Sequence, residues 1–126
     1  MHRSRLYGLF IDTPAAEAAA ASAFWSAALG TPAAADPDEE QFTMLAAAFP
    51  GLAVGVQSVD DAPRYHVDIE TDDVVAETER LTGLGAIEVA RWLDCHVLRA
   101  PGGHLLCVIP IHSDPTLFAA ESAVWP

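Results

Sequence analysis

The chain has 126 residues, 52% of them apolar, which suits one folded domain and is too hydrophobic for a disordered protein. Eighteen acidic residues against six basic ones give a net charge of −12, and because all six are Arg, lysine chemistry such as a Schiff base or a P-loop is excluded. An acidic surface with no Arg cluster repels phosphate backbones and anionic lipid, so neither nucleic acid nor membrane is an expected partner.

No apolar run approaches the roughly twenty residues of a membrane-spanning helix. Leu6–Ile11 is too short for the apolar core of a signal peptide and is interrupted by Asp12, so a cytoplasmic protein is expected. Cys95 and Cys107 match no zinc or redox spacing and read as two free thiols.

In chain order, the aromatic and aliphatic run Leu6–Ile11 predicts a buried strand. Thr13 and Pro14 read as the N-cap and first position of an Ala-rich helix that ends at Leu29 before Gly30. Residues 36–40 form an acidic loop, 41–49 a strand, Pro50-Gly51 a turn, and 52–59 another strand. After the loop around Asp60–Pro63, the alternation in Tyr65-His66-Val67-Asp68-Ile69-Glu70 predicts a half-buried strand with Tyr65, Val67 and Ile69 on its apolar face. Thr71, Asp72 and Asp73 supply a cap and acidic first turn for a second helix ending at Gly85. Strands follow at 87–92, 95–98 and 105–111, and Phe118, Val124 and Trp125 lie in a tail outside this pattern.

The two halves repeat. Ile11-Asp12-Thr13 aligns with Ile69-Glu70-Thr71, and Leu29-Gly30 with Leu84-Gly85. Repeat one spans about 5–59, repeat two about 64–111, and the tail 112–126, all within one expected domain 1–126. Each half alone buries one side of its sheet, so the duplicated unit predicts an α+β fold of two βαβββ repeats.

On the residues Ala23–Gly30, Tyr65–Val74, Leu84-Gly85-Ala86 and Val97–Val108, the chain resembles the vicinal oxygen chelate superfamily, in particular its glyoxalase-like and bleomycin-resistance-like members. The resemblance implies paired modules whose mixed sheet curls around one cavity, often in a homodimer, with a divalent metal in catalytic members. Its ligands there are His, Gln and Glu on the first and last strand of each module, and the metal polarises neighbouring substrate oxygens. His66 matches the histidine of the second module. The equivalent of His66 in the first module is Gly8, or Tyr7 if the register slips, and neither is a good ligand for such a metal. Cys107 stands at the glutamate position, and its counterpart is Gly55, Val56 or Gln57, of which Gln57 alone coordinates.

The candidate ligand-binding residues are therefore His66, Asp68, Gln57, Trp92, His96, Cys107, Tyr7 and Phe42, with His66 and Gln57 the metal ligands if a metal binds. Plainer readings stand beside each. The polar face of His66, Asp68 and Glu70 also reads as a cavity lining or a solvated face, and Cys107 as a small core residue. His96 and His104 read as acid–base groups facing the cavity or as hydrogen-bonded passengers. Trp25 reads as packing between helix and sheet; Trp92, with Tyr7, Phe42 and Met44, reads as an aromatic cavity rim or as core. The tail docks onto its own sheet or onto a second subunit.

Three functions are compatible with these residues. The leading one is a glyoxalase-like protein that binds a small apolar or aromatic molecule in its cavity with no cofactor. The alternatives are a metal-dependent lyase, isomerase or dioxygenase of the same superfamily, using a divalent metal, and a drug-sequestering resistance protein whose acidic groove suits cationic drugs. The expected partners are the small-molecule ligand and a second copy of the chain.

Overall fold

The computed structural model describes residues 1–126, an α+β chain of nine strands and three α-helices in mixed sheet. No helix is long and apolar enough to cross a membrane. Contacts group the chain into two compact units, Gly8–His66 and Met1–Tyr7 with Val67–Pro126.

The unit Gly8–His66 contains the later part of β1 (His2–Pro14), α1 (Ala18–Leu29), β2 (Ala33–Ala35), β3 (Phe42–Leu45), β4 (Ala53–Val59) and the first residues of β5 (Arg64–Thr71). β4 runs parallel to β1, β3 antiparallel to β4, and β2 antiparallel to β3. Phe10, Leu45, Val54 and Val56 are its buried apolar residues. The helix ends as its sequence predicts, with Gly30 in the left-handed region at φ 65°. Its start differs. β1 continues through Pro14, the Thr13 hydroxyl donates to the Ile11 carbonyl instead of capping, and the chain enters α1 through a 3-10 turn at Ala15–Glu17 with no side-chain cap. The strand expected over 41–49 stops at Leu45, because Ala47 takes a positive φ of 51° that breaks the ladder. β2 consists of three alanines, which show no alternation, and it exists through its pairing with β3.

The second unit holds the start of β1, the rest of β5, α2 (Val74–Gly83), β6 (Ile87–Trp92), β7 (Cys95–Arg99), β8 (Leu105–Pro110), α3 (Pro115–Glu121) and β9 (Ala123–Trp125). β8 is parallel to β5, β7 antiparallel to β8, and β6 antiparallel to β7, the same order as β1, β4, β3 and β2. The Asp73 carboxylate accepts the Ala76 N–H and caps α2. Leu98, Leu106 and Val108 form the core, with Val67, Ile69, Val74 and Leu81 packed against them. The tail docks onto its own unit. Phe118 is buried, β9 pairs antiparallel with the start of β1, and the Trp125 indole N–H donates to Ser4 Oγ at 2.8 Å.

The apolar face of β5 packs as its alternation predicts, with Val67 and Ile69 against the core, but its polar face is the more deeply buried of the two. His66, Asp68 and Glu70 are buried, whereas Tyr65 is exposed and Val67 and Ile69 are half-buried. Alternation correctly divides the residues between two faces, and the buried His66 and Glu70 are sustained by partners from elsewhere in the chain.

Candidate functional site

In the unit Gly8–His66, strand register gathers one face from three strands. Phe10 and Asp12 of β1 pair with Gly55 and Gln57 of β4, which in turn pair with Met44 and Phe42 of β3. His66 joins this face. Its ring stacks on Phe10 at 5.2 Å and 16°, and Phe10 meets Phe42 edge-on at 5.4 Å and 68°.

Asp12 is the organising charge. It is 2% exposed, and its Oδ2 takes both His66 Nδ1 at 2.8 Å and the Arg64 Nε–H at 3.0 Å. A carboxylate on one ring nitrogen fixes the orientation of an imidazole and raises the basicity of the other nitrogen. Asp12 is absent from the candidates read off the sequence, although a lone acid closing an apolar strand run is the signal that marks it.

The repeat settles which positions correspond. The alignment of Ile11-Asp12-Thr13 with Ile69-Glu70-Thr71 makes Phe10 the counterpart of Asp68, and the registers Phe10↔Gly55 and Asp68↔Cys107 make Gly55 the counterpart of Cys107. Gln57, the register partner of Asp12, lies two residues beyond that position. The two positions that the resemblance marks as ligands in this unit are thus Gly8 and Gly55; Gly8 has no room for a side chain, and Gly55 has none while Met44 keeps its place. A Cβ on Gly8 meets the Ala53 carbonyl oxygen and the Phe10 ring at 2.9 Å each, and one on Gly55 meets Met44 Sδ at 2.8 Å. Phe10 and Met44 occupy the space that two ligands would need, so the full metal set does not fit this unit.

A backbone carbonyl yields less readily than a thioether. Gly8→Ala is therefore expected to cost about 1–3 kcal/mol as overpacking, and Gly55→Ala less, because Met44 can turn away. Urea unfolding of both variants checks this order.

The remaining candidates belong to the second unit, where they do not form one group. Asp68 is buried and stands opposite the half-buried Cys107. The half-buried Tyr7 ring lies 5.5 Å from the His112 ring. His96 shares its face of β7 with the core residue Leu98; its Nδ1 is 2.9 Å from the Thr78 hydroxyl of α2 and 3.5 Å from Glu88, so it faces the helix layer and not a cavity. Trp92 is exposed on β6, at one end of its run of paired strands, and His104 is exposed in the turn before β8, so neither lines an enclosed cavity. Sequence spacing places these side chains on strands but does not say which layer covers which face.

Residues 8–109 match the sequence pattern of a glyoxalase-like domain. No curated protein sequence matches the chain. Among solved structures, it is similar to methylmalonyl-CoA epimerase from Mycobacterium tuberculosis, with a TM-score of 0.55 and 17% identity over 90% of this chain and 91% of that one. A glyoxalase/bleomycin resistance protein/dioxygenase superfamily member from Vibrio splendidus 12B01 gives a TM-score of 0.56 and 15% identity over 86% and 99% of the two chains. The 2,2',3-trihydroxybiphenyl 1,2-dioxygenase from Sphingomonas wittichii strain RW1 gives 0.58 and 13% identity; 92% of this chain is covered, but it spans only 44% of that enzyme. Likeness at these identities carries the fold alone.

Proposed function

The chain belongs to the glyoxalase-like domain family, and we propose that it binds a small apolar or aromatic molecule on the face built from Phe10, Phe42 and His66, without the full set of metal ligands used by catalytic relatives. The observation that carries this reading is the pair of closed glycine positions, Gly8 and Gly55, whose ligand space is filled by Phe10 and Met44. Those same side chains supply an apolar surface, and a few fixed polar groups on such a surface orient a ligand. His66 is fixed by Asp12, and Gln57 adds a donor and an acceptor on the same face.

A second reading has one observation in its favour. The carboxylate on His66 Nδ1 is the partner that a metal-bound imidazole ordinarily has, so a divalent ion on His66 with Gln57 would support metal-dependent lyase, isomerase or dioxygenase chemistry.

One set of measurements separates the two. A panel of aromatic and aliphatic small molecules is screened by thermal shift, and the untagged protein is assayed for bound metal after incubation with Ni, Zn, Mn, Fe(II) or Co and desalting. On the first reading an aromatic compound at a hundredfold excess over its Kd stabilises the fold by about 2.7 kcal/mol, Phe42→Ala weakens it about tenfold, and metal stays far below one ion per chain. Close to one ion per chain, lost in His66→Ala, establishes the metal reading instead.

A further inference from the structure

The same unit holds a cavity of about 620 Å³ where α1 passes the ends of β1 and β5. Ile11, Asp12, Arg64 and Tyr65 line it from the strands, and Ala20 and Ala21 line it from the helix. The alanines leave the space that larger helix residues would fill. From this cavity we infer a second binding site, for a small organic cation with an alkylated or aromatic ammonium group.

Three aromatic side chains form its walls. Phe24 is 61% exposed and Tyr65 60% exposed, while Trp25 is half-buried with its ring edge-on to Phe24 at 5.2 Å. Sequence patterning assigns Tyr65 and Trp25 to packing, yet here they present ring surface to an open recess. Ring faces around a recess attract cations, through a quadrupole interaction worth about 0.5–2 kcal/mol for each ring engaged.

The charges select the same sign. Asp12, Glu17 and Arg64 line the cavity, and the Arg64 guanidinium is already held by Asp12 and Asp61. Glu17 is exposed and takes part in no ion pair, and Asp12 Oδ1 is buried with no hydrogen-bond partner. An anion entering here meets carboxylates and a guanidinium that is already neutralised. A cation meets ring faces and a carboxylate with no competing partner, and the net charge of −12 favours its approach. The volume is of the size found for small-ligand sites.

The test uses benzyltrimethylammonium, with benzyl alcohol and phenylacetate as neutral and anionic comparisons, each titrated by calorimetry into the whole chain and into Phe24→Ala, Glu17→Gln and Phe42→Ala variants. Phe24 and Glu17 are exposed, so these variants keep the fold. The expected result is binding of the cation at least tenfold tighter than of either comparison, weakened about tenfold by Phe24→Ala, severalfold by Glu17→Gln and more by the two together. Equal affinity for cation and neutral compound, or no binding of the cation, overturns the inference. Binding that survives Phe24→Ala and is lost in Phe42→Ala assigns the probe to the His66 face, which overturns this inference and leaves the proposed function standing.

Discussion

Glu70→Ala is expected to lower the unfolding free energy by about 3–5 kcal/mol, the cost of removing one partner of a buried charge pair. Glu70 is 0% exposed and accepts four hydrogen bonds: from Arg5 Nη1 at 2.6 Å, the Ser113 hydroxyl at 2.6 Å, and the backbone N–H groups of His112 and Ser113 at 2.8 and 2.9 Å. Truncation strands two backbone donors at the entry to the tail, where α3 and β9 begin their return to β1. Urea unfolding followed by far-UV circular dichroism measures the loss. Glu70→Gln, which keeps an acceptor oxygen but not the charge, should recover part of it. A loss below about 1 kcal/mol for the Ala variant would show that the four bonds are individually replaceable by water.

The second large effect lies at Glu77, also 0% exposed, which collects His2 Nε2 at 2.6 Å, Ser4 Oγ at 2.9 Å and two Arg80 nitrogens at 2.9 and 2.7 Å. Arg80 in turn lies 3.8 Å from the centre of the Trp125 ring, so one carboxylate ties α2, β1 and β9 together. Glu77→Ala is expected to cost about 3–5 kcal/mol, and to expose Trp125 to solvent as β9 loosens.

Both carboxylates also make stability depend on pH. Burial by itself raises their pKa values, but hydrogen bonds from Ser113, His112 and Arg5 at Glu70, and from Arg80, His2 and Ser4 at Glu77, outweigh it and hold both below their ordinary value of 4.5. A depressed carboxylate binds fewer protons folded than unfolded, so its contribution is complete above pH 4.5 and is lost as the pH falls through the folded value. Unfolding free energies measured at pH 7, 5, 4 and 3 should fall steeply below 5 in the parent chain and more gently in either variant. Parallel curves would remove these two groups as the cause.

Much of the fold is legible in the sequence because it rests on local, periodic signals. Gly30 stops α1 by its left-handed backbone, Asp73 caps α2, and the matched triplets at Ile11 and Ile69 disclose the duplication, which the parallel registers of β1 with β4 and β5 with β8 then realise. His66 stands out through its alternation and the family resemblance. Composition alone excludes lysine chemistry.

The tertiary structure decides what long-range partners decide. Asp12 meets His66 and Arg64 across more than fifty residues of chain, and Glu70 meets Arg5 and Ser113, so the polar face of β5 is buried where alternation alone leaves open whether it is covered or solvated. His96 turns to Thr78 because α2 covers that face of β7, and the tail finds β1 through backbone pairing that no residue pattern announces. Period-2 spacing separates two faces but does not say which is covered, since burial of a charge depends on partners brought by other strands. For the same reason the sequence reads Gly8 only as a missing ligand and leaves its partner position open among Gly55, Val56 and Gln57. Packing sets Phe10 and the Ala53 carbonyl against Gly8, and Met44 against Gly55.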